Sequence, residues 1–191
     1  MYKYILISAL VLIGAFPNIV HNADRELGMA DYIVKYLEVF PNLTFTEVRA
    51  AVRRESRDNP KTKVHERTVN DFSWGPLCVR SKTLYGMGFK GSPEKMKTWE
   101  TGLYWGMKYM SLCKTRARAS ILAEYGVADE HLIRRRMYSL YNAGNLYFTT
   151  VIEDGKEHRV YRNRAYVRYC EHYYWKYLKY DPKIAKVGKV G

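Results

Sequence analysis

Acidic residues are scarce in this chain. Asp and Glu together number 19 against 32 Lys and Arg, which leaves a formal charge of +13 over 191 residues. Such a field suits polyanionic partners: nucleic acid, anionic lipid, or an acidic polymer such as peptidoglycan with its teichoic or lipopolysaccharide neighbours. The basic residues are spread through "RRES", "KTRAR", "IRRRM" and "YRNRAYVR", so any one run reads first as a solvated helix face. Nucleic-acid binding rests on net charge alone, because no stacking or groove-reading motif accompanies it, and it is not expected. Cysteine is also sparse. Cys78, Cys113 and Cys170 form an odd set with no CxxC spacing, which argues against a zinc site and allows at most one internal disulfide, whose pairing the spacing does not choose. No metal and no cofactor is expected. Internal repeats and long low-complexity segments are absent, which excludes solenoid and linker-rich architectures.

Long apolar runs are missing too. The longest, Tyr4 to Phe16 in "MYKYILISALVLIGAF", has the length of a signal-peptide core and is too short for a conventional membrane span. Residues 1–23 are therefore expected to be an export leader or an N-terminal anchor touching the membrane. Ala23 is a candidate cleavage point, although His21 suits the position two before it poorly. The expected address is outside the cytoplasm: periplasmic, envelope-associated or virion-associated.

What is present argues for a folded domain. Hydrophobic residues make up 47% and aromatic residues 15%, with 18 tyrosines, so there is ample material for a core. One domain, 24–180, followed by a basic tail, 181–191, fits the length.

The periodicity is helical. Leu27, Ala30, Ile33, Val34, Leu37 and Phe40 recur at helical spacing before "PN" stops the run. Thr44 and Glu47 form a capping box for the next helix, whose stripe of Phe45, Val48 and Val52 points inward. From Lys61 to Gly91 the pattern turns irregular, glycine-rich and aromatic, as in loops that line clefts. Helices are then expected in "SPEKMKTWETGLYWGMKYMSLC", in a separate "TRARASILAEYG", in "DEHLIRRRMYSLYNAG" from cap Asp129 to stop Gly144, and in "RAYVRYCEHYYWKYLKY". "TTVIEDGKEHRVY" reads as a short hairpin around Asp-Gly. The fold class is mainly α, with an irregular cleft-lining region and one short hairpin.

Glu55 stands out. In "VRRESRDNP" it lies three residues beyond Val52 and seven beyond Val48, on the inward face of its helix and at the C-terminal end. Desolvation and the negative end of the helix dipole both favour its neutral form, as a general acid near neutral pH requires. The alternative is a helix-end ion pair with Arg54 or Arg57.

Four fragments follow in order: "ESRDNP" from Glu55, "WGPLCV" from Trp74, "GLYWGMKYM" from Gly102 and "YNAG" from Tyr141. The set resembles the motifs of soluble lytic transglycosylases, whose fold is that of goose-type lysozyme, over roughly Met29 to Leu178. The segment with Tyr166-Val167 looks like that family's closing helix. The resemblance implies a single lysozyme-like domain that cleaves the β-1,4 bond between N-acetylmuramic acid and N-acetylglucosamine and leaves 1,6-anhydro ends. It implies Glu55 as the acid, Tyr141 pointing its hydroxyl at Glu55, and Ser56 ordering the site. Peptidoglycan strands are the implied partner, with a secretion apparatus or virion as a further one.

Gly75, Leu77, Cys78 and Asn142 are expected along the cleft, and Trp74, Tyr85, Phe89 and Tyr147 are candidates for stacking on sugar rings. Two positions depart from the family pattern. The second motif usually reads Gly-Leu-Met-Gln, and here Cys78 stands where the glutamine would be. The third usually carries asparagine four residues before its glycine, and here that residue is Gly102. Both changes remove amide groups expected to bind substrate. Asp58, Glu66 and Asp71 are the acids to test as a second carboxylate, which would make a goose-type hydrolase the alternative. A non-catalytic glycan-binding or virion structural protein is the other alternative.

Overall fold

The computed structural model describes residues 27–144, 148–153, 156–161 and 163–178. The leader, the basic tail and Tyr147 lie outside the described residues. Six helices carry the architecture: α1 (Met29–Leu37), α2 (Phe45–Ser56), α3 (Ser81–Gly86), α4 (Trp99–Tyr125), α5 (Glu130–Ala143) and α6 (Arg164–Leu178). The domain is mainly α, and no described helix is long and apolar enough to cross a membrane.

The stretch expected to be irregular is more ordered than its composition suggests. β1 (Lys63–Glu66), β2 (Asp71–Trp74) and β3 (Val79–Arg80) form an antiparallel sheet, and Arg67–Val69 makes a 3-10 turn between the first two strands. In register, Lys63 faces Trp74 and His65 faces Phe72, while Val64 faces Ser73. The pleat therefore puts Lys63, His65, Phe72 and Trp74 on one side, and Ser73 and Glu66 on the other. The expected hairpin is β4 (Phe148–Glu153) paired with β5 (Lys156–Tyr161), Phe148 opposite Tyr161.

Two helix expectations change. "TRARASILAEYG" is not a separate helix: it completes α4, which runs 27 residues from a Thr98 cap to Gly126 in the left-handed region. Nothing between Cys113 and Ala117 breaks a helix, so propagation continues. In α1 the inward face is Ile33 and Tyr36, while Val34, and Leu27 just before the helix, are exposed. Tyr36 packs edge-on against Tyr104 of α4, and that contact sets the helix rotation.

α2 lies at the centre. Its capping box forms as expected, Thr44 accepting from the Glu47 N–H and Glu47 from the Thr44 N–H. Glu47 does more than cap: both of its oxygens accept from Lys114 of α4, at 2.7 and 2.9 Å, in a pair almost shut off from water. Tyr138 of α5 donates to the Glu47 carbonyl. With α6 packed along α2, the central helix is clamped on several sides, so its C-terminal end is a fixed platform for Glu55.

Candidate active site

The second and third sequence motifs meet as one packing unit. Gly75 has φ +76°, and a Cβ there would fall 2.3 Å from the Met96 carbonyl oxygen. Pro76 fills the space above Gly102, where a Cβ would lie 2.3 Å from the proline Cδ. Leu77, fully buried, does the same over Gly106, at 2.5 Å. Two glycines one helical turn apart thus let the 75–78 turn lie directly on α4. A side chain at Gly102 would collide with Pro76 and with the Met96 carbonyl.

The turn delivers Cys78, at φ +46°, to the wall of a cavity of about 200 Å³. Glu55 from the end of α2 shares that cavity with Tyr109 of α4, Tyr141 and Asn142 of α5, and Gly144. The sheet contributes Glu66, Ser73 and Arg80 from its pocket-facing side, with Thr83 from α3. Glu55, Tyr141, Cys78 and Asn142 therefore line one cavity.

Burial dominates the chemistry of Glu55. The residue keeps some exposed surface, but its carboxyl group is enclosed, and desolvation pushes its pKa up to about 7 from an ordinary 4.5. Glu66 adds to the rise by like-charge repulsion. A hydrogen bond from Tyr166 and the Arg54 charge oppose it without cancelling it. Arg54 acts as a distant cation and forms no ion pair with Glu55 among the described residues. Its guanidinium lies over the Tyr166 and Tyr169 rings instead, at 5.4 and 5.1 Å. The helix-end ion pair belongs to Asp58, which holds Arg49 and Arg53 and is kept below its usual carboxyl range by them.

The tyrosine that touches the acid is not the expected one. The Tyr141 hydroxyl donates to the Leu77 carbonyl and so braces the 75–78 turn. Tyr166 of α6 donates to Glu55 Oε1 at 2.5 Å from a buried position. The reason is packing: α6 lies along α2 and presents Tyr166 inward beside Val167 and Cys170. The "AYV" fragment was the only sequence signal for this residue, and its partner lies 111 positions away.

Other expected site residues fall elsewhere. Ser56 is buried and returns its hydroxyl to the Val52 carbonyl at 3.0 Å, so it serves the helix end. Trp74 is on the far side of the sheet from the cavity, its indole N–H bonded to Ser81 and its ring 4.4 Å from the Lys63 ammonium. Gly75 and Leu77 shape the turn and do not line the cavity. Tyr85 is half exposed and outside the cavity, near the buried Phe89. Asn142 lines the cavity while its side-chain amide oxygen Oδ1 accepts from Asn163.

Of the three acids to test, only Glu66 joins Glu55. Its Oε1 accepts from Ser73 at 2.8 Å. Asp71 instead takes the backbone N–H groups of Phe72 and Lys82 at the start of α3. Arg80 and Thr83 carry no sequence signal of their own, and Tyr109 lies in the third quoted fragment with nothing to single it out, since only the sheet and the α4–α5 pairing bring them to the cavity.

All three cysteines are free thiols, and burial raises the pKa of each, that of Cys113 to about 12. Cys78 donates its S–H to the Glu55 backbone carbonyl at 3.4 Å. Among the described residues no cluster of three or more His, Cys, Asp or Glu could hold a metal.

Comparisons with protein-family models, with curated proteins and with solved structures find no match for this chain.

Proposed function

We propose that this protein is a peptidoglycan lytic transglycosylase whose catalytic acid is Glu55. One observation carries the reading: a single enclosed carboxyl group with a pKa of about 7, held by a tyrosine hydroxyl, in the wall of an open cavity. Near neutral pH such a group both gives and takes a proton, which is what this reaction demands of one residue. Tyr166 donates to Oε1, so Oε2 is the oxygen free to carry the proton.

Oε2–H protonates the bridging oxygen as the bond from the muramic acid C1 breaks, releasing the N-acetylglucosamine side as an alcohol. The substrate's own N-acetyl group stabilises the positive centre. The Glu55 carboxylate then takes the proton of the muramic acid 6-hydroxyl, whose oxygen closes on C1. No water is consumed, and the acid is regenerated. The basic surface suits an anionic wall polymer.

Glu66 supports a second reading. It lies in the same cavity, which has room for several waters at about 30 Å³ each, and its carboxyl could activate one of them for a hydrolysis of the goose-lysozyme kind. Digesting purified peptidoglycan and weighing the fragments separates the two. Anhydro ends, lighter by one water than hydrolysed ends, are the expected product. Reducing ends alone would replace the lyase by the hydrolase, and an intact wall that the protein nevertheless binds would leave a glycan-binding role.

A further inference from the structure

The proposed chemistry uses Glu55, Tyr166 and the cavity, and it leaves one charged group without a task. Among the described residues that wall the cavity, Arg80 is the one cation. It sits on β3 immediately before α3, half-buried, and forms no ion pair within 4 Å among the described residues. Asp71 feels its charge, but that carboxylate is already taken by two backbone N–H groups at 2.7 and 3.2 Å. Glu66 is likewise engaged, by Ser73.

Arg80 does not serve the acid either. The cation acting on Glu55 is Arg54, whereas the Arg80 charge is felt by Tyr109. This places the guanidinium on the Tyr109 side of the cavity, beside Gly144, where a Cβ would come within 3.8 Å of Nη2. Gly144, with φ +70°, ends α5. A planar fork of N–H donors, partly desolvated and facing a cavity, matches a carboxylate.

We propose that Arg80 sets the specificity of this site by pairing with a carboxylate carried on the glycan substrate. The inference rests on the peptidoglycan reading above. The chemistry has two sources on that polymer: the lactyl carboxylate of muramic acid stripped of its peptide, and the carboxylates of the peptide stem.

Three strand preparations separate them: strands with intact stems, strands stripped of stems, and stripped strands whose carboxylates are reduced to alcohols. Each is offered to the wild-type chain and to Arg80→Gln and Arg80→Lys, and kcat/KM is read. Binding of the same strands to Glu55→Gln, with and without the Arg80 changes, is measured by calorimetry. Loss of the paired carboxylate, by reduction if it is the lactyl group or by stripping if it lies on the stem, is expected to cost the wild-type chain roughly 10- to 100-fold, the range of one charge-assisted hydrogen-bonded pair. Arg80→Gln should lose that preference, and Arg80→Lys should keep part of it. Preference for stripped strands assigns the lactyl group, and preference for intact ones assigns the stem.

Equal use of all three preparations by the wild-type chain, or a preference that survives in Arg80→Gln, overturns the assignment. If no strand is cleaved but Glu55→Gln still prefers carboxylated strands through Arg80, the catalytic reading fails and the Arg80 assignment stands. Absence of both cleavage and binding overturns both.

Discussion

Replacing Glu55 by glutamine should make the protein more stable, and only at the pH where the acid would be charged. The folded chain holds the Glu55 proton up to about pH 7, whereas an exposed carboxyl releases it near 4.5. Between those values the folded state binds a proton that the unfolded state does not. Stability from this group is therefore complete below pH 4.5 and is lost as pH rises through 7. At 1.36 kcal/mol per pH unit, the loss above pH 7 is about 3 kcal/mol. Glutamine has nearly the same shape, still accepts from Tyr166, and carries no charge to desolvate.

Thermal unfolding of the two proteins across pH 5 to 9 tests this, at roughly 2–4 °C per kcal/mol for a chain of this length. The melting temperatures should differ by only about 2–3 °C at pH 5 and separate by about 6–12 °C, with the variant higher, above pH 7.5. Every other titrating group is common to both chains, so the difference isolates Glu55. A gap that does not change with pH, or one that favours the wild-type chain at high pH, would refute the enclosed, proton-holding acid and the mechanism built on it.

Tyr166→Phe removes the O–H that stabilises the Glu55 anion, a hydrogen bond worth about 1.5–3 kcal/mol to a charged acceptor. The alkaline limb of the kcat/KM profile should move up from about 7 by one pH unit or more, and a limb that stays or moves down would argue against the assignment. Gly102→Ala puts a methyl group against Pro76 and the Met96 carbonyl and should cost about 1–3 kcal/mol in denaturant unfolding. Adding Pro76→Ala should relieve part of that loss, because one of the two clashes goes, whereas strict additivity would show that the two positions do not share space.

Much of the architecture was legible in the sequence because it depends on local rules. Capping at Thr44 and Asp129, stops at Gly126 and Gly144, and the 3.6-residue stripes mark the helices without reference to distant contacts. The same phase turned Glu55 inward and gave the direction of its pKa shift. Asp-Gly between β-branched runs gave the hairpin. The sheet of β1 to β3 was missed because "KVHE" and "DFSW" are short and do not alternate cleanly between apolar and polar. Their pairing is set by the neighbouring strand and by the packing of the next turn on α4.

The partners of the acid belong to the tertiary structure. Sequence order put Tyr141 beside Glu55, but a hydroxyl bonds to what lies within about 3 Å, and for Tyr141 that is the Leu77 carbonyl. Packing of α6 on α2 gave Glu55 to Tyr166 instead, across 111 residues. The same holds for Glu47, legible as a cap and illegible as the buried partner of Lys114. By itself the sequence determined which helices form and which way Glu55 faces, since both follow from local spacing. Only the folded chain decided which groups surround the Glu55 carboxyl, why no side chain fits at Gly102, and that Arg80 faces the cavity, because each depends on contacts between distant segments.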